Sequence, residues 1–256
     1  MLKETLLEAV QAAGALMQEN FDKPYAIRTK ASVNDLVTEI DKRCETAILS
    51  IIRASFPDHE ILSEEIGALE KPSPYKWIID PIDGTVNFAH GLPICCVSIA
   101  VEKEGEIILG AVNNPFLGEC YVAEKGQGAT LNGTPLQVSD NDQLDTAFLV
   151  TGFPYVWKDA AGDPIRVFER LVRSGLPVRR LGSAALDLCW VAAGRFDGFW
   201  EHHLHAWDSA AGFLMVQEAG GQVTDFNGQL YSPYQSQLLA TNGKIHAQLL
   251  KTIQQK

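Results

Sequence analysis

The sequence predicts a layered α/β protein built on mixed, largely antiparallel sheets. Three observations carry this. Apolar runs of strand length occur both in hairpin order and alternating with amphipathic helices. The 256 residues are 46% hydrophobic and 21% charged, an ordinary globular mix. No repeat and no low-complexity segment interrupts them.

The elements follow in order. Leu2–Asn20 reads as an amphipathic helix, with Glu4 and Glu8 breaking what would otherwise suggest a secretory leader. Asp35–Ser55 reads as a second helix, since Leu36, Ile40, Ala47, Ile48, Ile51 and Ile52 fall near one face and Pro57 lies just beyond. His59–Leu62 and Lys76–Asp80 read as short strands. Cys95–Glu102 and Ile107–Asn113 read as a hairpin, followed by strands at Glu119–Ala123 and Ala129–Leu131. After Asp140 the pattern changes. Strands are expected at Phe148–Thr151, Val178–Leu181, Phe196–Trp200, Gln222–Asp225 and Leu238–Thr241. Helices are expected at Pro164–Arg173, Ser183–Ala193, Ala206–Ala219 and Lys244–Ile253, with Ser183 a candidate N-cap. This suggests one domain over 1–256 with two lobes, 1–145 and 146–256.

Charge and cysteine usage exclude several classes. The net charge of −11 disfavours binding to nucleic-acid phosphates. No apolar run approaches the ~18 residues of a membrane span. Five cysteines, two of them adjacent at Cys95 and Cys96, are poor disulfide spacing and read as reduced core residues of a cytoplasmic protein.

The chemistry-bearing stretch is WIIDPIDGTVNFAHG, residues 77–91. Pro81 holds Asp80 out of helical backbone angles, so the strand is expected to end there. Residues three apart on a strand face opposite sides, so a turn at Gly84 is expected to bring Asp80 and Asp83 together. A helical turn from Thr85 would aim N–H groups at the same spot. An acidic β-turn with a capping threonine reads the same way. The buried Trp77-Ile78-Ile79 run argues against that reading, because carboxylates converging beside a core need a positive partner. Ser63-Glu64-Glu65 ends another apparent strand, and Asp208 opens a helix; singly, these read as solvated charge and as an N-cap. Oxygen donors favour Mg2+, Mn2+ or Ca2+ over zinc. His202, His203 and His205 lack zinc spacing and read as a loop or strand end with partly exposed rings.

These motifs in combination, with GSAALDLCWVAAGRFDGFWE at 182–201 and WDSAAGFLMVQEAGG from Trp207, resemble the inositol monophosphatase family. The resemblance runs nearly the whole chain and includes Lys30 and the Asp35 to Asp41 stretch. It implies a sugar-phosphatase-like αβαβα sandwich, a lithium-sensitive, Mg2+-dependent phosphomonoesterase, and usually a homodimer. It assigns Glu64, Asp80 and the Ile82 carbonyl to one Mg2+, and Asp80, Asp83 and Asp208 to a second. A weaker third ion would sit near Glu64. The catalytic residues are read as Glu64, Thr85 and Asp41, the last two orienting the attacking water. The substrate side is read as Asp83, Gly84, Thr85, Gly182, Ser183, Ala184, Glu201 and Asp208.

The implied reaction is hydrolysis of a small polyol phosphate monoester, foremost myo-inositol monophosphate. Asn87–Gly91 and Glu201 look most like the inositol branch. Fructose 1,6-bisphosphate, histidinol phosphate and 3′-phosphoadenosine 5′-phosphate are the related alternatives, and a non-catalytic scaffold or a metal-binding module are alternatives of another class. One departure from the family pattern is Ser63, where glycine is usual; little effect is expected unless the position needs a positive φ.

Overall fold

A computed structural model of the protein describes residues 1–29, 36–154 and 164–255. Lys30 and Asp35 lie outside the described residues.

Helix α1 (Leu2–Asn20) leads into a short hairpin of β1 (Ile27–Thr29) and β2 (Leu36–Thr38), then α2 (Glu39–Ser55). The second helix therefore starts later than its apolar pattern suggests. Thr38 sets the start: its Oγ1 accepts the N–H groups of Ile40 at 3.1 Å and Asp41 at 3.3 Å, and Asp41 Oδ2 accepts the Thr38 N–H at 2.8 Å. This reciprocal capping satisfies donors that a helix start leaves open.

The large sheet follows: β3 (Glu60–Ser63), β4 (Gly67–Leu69), β5 (Tyr75–Asp83), β6 (Cys96–Lys103), β7 (Glu106–Asn114), β8 (Glu119–Glu124), β9 (Gly128–Leu131) and β10 (Thr134–Pro135). A short helix, α3 (Thr85–Ala89), separates β5 from β6. Strand order is β10-β9-β8-β7-β6-β5-β3-β4, antiparallel except where β3 and β5 run parallel. The second half supplies β11 (Leu149–Thr151), α4 (Pro164–Arg173), β12 (Val178–Arg179), α5 (Ala184–Ala192), β13 (Gly198–His202), α6 (Ala206–Glu218), β14 (Gln222–Thr224), β15 (Gln237–Thr241) and α7 (His246–Gln254). Its sheet has the order β12-β11-β13-β15-β14.

Side-chain alternation builds the layers. On β5, Trp77 and Ile79 face α1 and α2, where they pack with Leu6, Val10, Ile40 and Ile48. Ile78 faces the other way and joins the α5 and α6 side chains, which also meet Val150, Phe199 and Ala240 of the small sheet. On the far side of the small sheet, Leu149, Trp200 and Leu239 pack on Val167 and Leu171 of α4 and Leu249 and Ile253 of α7. The result is the αβαβα sandwich. Each fully buried Leu or Ile contributes roughly 2 kcal/mol to these contacts. Helices α5 and α6 approach closely because Gly212 has no side chain: a Cβ there would lie 2.6 Å from the Leu188 Cβ.

Two features of the sheet position the site. The parallel β3–β5 pair brings the ends of both strands to the same edge, with Ser63 opposite Ile79 and the Glu64 N–H donating to the Ile79 carbonyl at 3.1 Å. Strand β5 also runs on through Asp83 instead of stopping at Asp80. Asp80 pairs with Ser98 and Asp83 with Cys96, so β5 carries one residue more than β6 across this step. This bulge, at Pro81-Ile82, reverses the facing of the following residue. It brings Asp80 and Asp83 to the same side before the chain reaches Gly84, and it accommodates a proline without an N–H. Gly84 plays a separate part. With φ +89° it caps α3, and a Cβ there would sit 2.9 Å from the Ile94 carbonyl oxygen.

Candidate active site

A cavity of about 800 Å³ opens where the ends of β3 and β5 meet the N-termini of α3, α5 and α6. Glu64, Asp80, Ile82, Asp83, Gly84 and Thr85 line one side; Gly182, Ser183, Ala184, Glu201 and Asp208 line the other. Eleven of the twelve expected site residues thus share one cavity. The twelfth, Asp41, is fully buried behind it and reaches the wall through Thr85.

The near wall is held by short-range bonds. The Ile82 N–H donates to Asp80 Oδ1 at 3.0 Å, bending the carboxylate back over the bulge. Thr85 Oγ1 lies 3.0 Å from Asp41 Oδ1 and 2.9 Å from the Ile82 carbonyl oxygen, and its one proton is shared between these two acceptors. Thr38 Oγ1 donates to the other Asp41 oxygen at 2.5 Å. Asp41 is thereby a fixed acceptor that aims the Thr85 hydroxyl.

One turn further along α2, Glu45 is also buried. Its Oε1 accepts from Ser63 Oγ at 2.5 Å and from the Ile66 N–H at 3.2 Å. The turn that carries Glu64 and Glu65 is tied to α2 this way. Ser63 is not among the positive-φ residues, so the backbone tolerates serine here, and the hydroxyl gains a bond that glycine could not make.

The far wall is joined to the near wall through Asp83. Its Oδ2 accepts from Ser183 Oγ at 2.6 Å and from the Ala185 N–H at 2.8 Å. Asp83 is therefore the anion at the α5 N-terminus, where the helix dipole favours negative charge. Ser183 occupies the N-cap position as expected, but its hydroxyl is turned away from its own helix toward Asp83. Asp208 accepts the His205 N–H at 2.6 Å, so the helix-capping reading and the cavity-lining position hold together. Asn87 bridges the Ile94 and Leu181 carbonyls at 2.7 and 2.8 Å. None of residues 87–91 lines the cavity, so the likeness of this stretch to the inositol branch does not come from contact with the cleft. His202 is buried at the end of β13, not partly exposed; it packs edge-on against Phe226.

The electrostatics follow from crowding acids into a cleft. Burial, then the charges of Glu64, Asp83 and Asp208, push the Asp80 carboxyl well above its usual range. Burial does the same to Asp208, with Asp83 and Glu64 adding to it. Asp83 rises to about 6: burial raises it, and the Ser183 and Ala185 bonds hold it back. Asp41 also rises to about 6 through burial, opposed by Thr38. Glu201 is pushed by burial up to about 8, with Arg180 opposing the shift.

Among the described residues, no three His, Cys, Asp or Glu side chains are drawn together tightly enough to hold a metal ion as they stand. The donor chemistry nevertheless fits a hard divalent cation: four carboxylates in mutual repulsion, beside a backbone carbonyl, are what such a cation would relieve.

Gly152, Arg180 and Asp187 are among the cavity residues that sequence reasoning missed. Gly152 leaves the room that the Glu201 carboxylate fills. Arg180 is a cation on the far wall, and Asp187 is a carboxyl on α5. Asp187 had a signal: it is the single charged residue in the otherwise apolar helix AALDLCWVA.

Together these features define a layered α/β protein of the sugar-phosphatase type, with an acidic cleft between its two sheets. A model of the inositol monophosphatase family matches residues 2–256, and the chain belongs to that family. It is 44% identical over 251 residues to the inositol-1-monophosphatase of a Synechocystis strain, covering 98% of this chain and 88% of that protein. It is 45% identical over 224 residues to the Escherichia coli K12 protein named Nus factor SuhB, covering 87% and 84%. The crystal structure of the extragenic suppressor protein SuhB from Bartonella henselae superimposes with a TM-score of 0.93 at 34% identity, covering 99% of this chain and 98% of that one. Membership supports a phosphatase or a scaffold role. No helix among the described residues is long and apolar enough to cross a membrane.

Proposed function

We propose that the chain is a Mg2+-dependent phosphomonoesterase acting on a small polyol phosphate, foremost myo-inositol monophosphate. The observation that carries this is the meeting of Glu64, Asp80, Asp83 and Asp208 in one cavity with Thr85 beside them and Glu201 opposite. Glu64, Asp80 and the Ile82 carbonyl would hold one cation; Asp80, Asp83 and Asp208 would hold a second, with a third, weaker ion near Glu64. Bound there, Mg2+ supplies the positive charge that an acidic protein needs to take in a phosphate, and the Lewis acidity that hydrolysis uses.

The chain's own residues do the rest. The Thr85 hydroxyl, aimed by Asp41, is the group that orients an attacking water in line with the phosphorus. The backbone of Gly84 and Thr85 at the start of α3 faces the phosphate oxygens. Glu201 faces the hydroxyls of the alcohol as a hydrogen-bonding partner, and where it is ionised its charge repels a second phosphate, which favours monophosphates over bisphosphates. Asp83 fixes the α5 terminus, so Gly182, Ser183 and Ala184 keep their place on the alcohol side.

The test is phosphate release from inositol 1-phosphate, glycerol 2-phosphate, fructose 1,6-bisphosphate, histidinol phosphate and 3′-phosphoadenosine 5′-phosphate, each with Mg2+ and with EDTA. Release should need Mg2+ and favour the monophosphate polyols. Asp80→Asn should lower turnover at least about 100-fold at saturating Mg2+, because it touches both proposed cation positions. Near-normal turnover of that variant would overturn the assignment. The second reading is a scaffold role, favoured by the name Nus factor carried by the Escherichia coli relative. An absence of release from every substrate would favour it.

A further inference from the structure

Several buried carboxylates in this protein are held by protein donors. Asp41 accepts from Thr38 and Thr85. Glu45 accepts from Ser63 and Ile66. Asp197 accepts from Ser139, Asn141 and the Phe148 N–H. Asp187 differs. It is buried to 1% exposure, and its Oδ1 is shut away from solvent with no hydrogen-bond partner. It stands on α5, every residue of which is buried, and it lines the cavity. An unpaired buried acceptor is costly, and such a group calls for an explanation.

Its surroundings supply one. The charges that act on Asp187 are Glu201, Asp83 and Arg180, all of which line the same cavity. Asp83 is already engaged by Ser183 and Ala185. Asp187 and Glu201 are thus two carboxyl groups on the wall proposed for the alcohol. Arg180 on the same wall opposes an ammonium or imidazolium ion. Neither acid offers a second phosphate a counter-charge. The group that suits both acids and tolerates Arg180 is a neutral hydroxyl, which donates to one oxygen and accepts from another donor.

We propose that Asp187 is a specificity-determining residue that hydrogen-bonds a substrate hydroxyl alongside Glu201, so that the cleft selects polyhydroxylated alcohols over short ones. The inference rests on the phosphatase reading above and deepens it. A site built to bond hydroxyls rejects an analogue lacking them, because its polar groups then stay unpaired. The stability lost to an unpaired carboxylate in the free protein is recovered when the polyol binds.

The experiment compares full-length wild type with Asp187→Asn and Asp187→Leu. The first readout is the ratio of kcat/KM for inositol 1-phosphate to that for glycerol 2-phosphate, with Mg2+. The ratio should fall about tenfold in Asp187→Leu, carried mainly by KM, and less in Asp187→Asn, which keeps an acceptor oxygen. The second readout is the thermal midpoint without substrate, which should stay level or rise in both variants. The third is the rise in that midpoint on adding free myo-inositol, which should be lost in Asp187→Leu. A ratio within twofold of wild type in Asp187→Leu overturns the proposal. So does a lowered midpoint or failure to fold in either variant, since Asp187 would then be a core residue. If wild type hydrolyses neither substrate, the phosphatase reading itself fails, and the proposal falls with it.

Discussion

Acidification should destabilise this protein through His246, and the network around the ring says by how much. His246 is buried between two threonines: Nε2 lies 3.0 Å from Thr224 Oγ1, and Nδ1 lies 2.9 Å from Thr241 Oγ1. Thr224 Oγ1 donates its proton to the Asp225 carbonyl at 2.7 Å, so it can only accept from the ring. The ring therefore carries its proton on Nε2, and Nδ1 accepts from Thr241. The Thr241 oxygen accepts the Gly243 N–H at 3.1 Å, which agrees with that direction. Protonating Nδ1 would set two donors face to face. Burial accordingly lowers the pKa from 6.5 to about 4. The stabilisation is complete above the unfolded-state value of 6.5. As pH falls through the window from 6.5 to about 4, the unfolded chain takes up a proton that the fold refuses, and stability is lost. A shift of that size corresponds to about 3 kcal/mol in full, and about 2 kcal/mol after discounting for residual solvent screening. The assay is urea unfolding at several pH values for wild type and His246→Gln. Asp41 and Asp83, both raised to about 6, titrate in the same range with the opposite sign, and the difference between the two proteins removes them. That difference should shrink by about 2 kcal/mol between about pH 7 and pH 4. A difference that stays constant across the window would refute the network.

Three further outcomes follow from the geometry. Glu45→Ala leaves Ser63 Oγ and the Ile66 N–H without their acceptor; urea unfolding should register a loss of about 2–4 kcal/mol. Gly212→Val forces a side chain into the space of Leu188, and the thermal midpoint should show a loss of about 1–3 kcal/mol from separating α5 and α6. Saturating Mg2+ should raise the midpoint of wild type, by the equivalent of about 2.7 kcal/mol at a hundredfold excess over Kd, and raise it much less in Asp80→Asn.

The order of elements was legible wherever local pattern decides it. Leu2–Asn20 and Pro164–Arg173 form helices over the residues their periodicity indicates. The motifs marked acids that share one cavity, because residues as close in the chain as Asp80 and Asp83 come together through local backbone. What was not legible depends on partners far along the chain. The bulge in β5 exists only in its pairing with β6. The start of α2 was displaced because a local capping bond at Thr38 outweighed the apolar pattern that runs through Leu36. Local sequence assigns the Ser183 hydroxyl to the cap of its own helix; the acid it bonds instead lies 100 residues earlier, beyond the reach of any local pattern.

Asp83 reaches across that separation, and the consequence concerns the order of folding. The acids of β5 can be aligned by the large sheet, but the far wall is delivered by segments about a hundred residues later in the chain. Closing so long a loop is slow, and its entropy must be met before the contact gives anything back. The cleft is thus completed late, when both sheets have docked on α5 and α6. A chain ending before residue 183 would carry the acids without the wall that faces them. Phosphate release, on the function proposed above, would then report completion of the fold more strictly than helix content does.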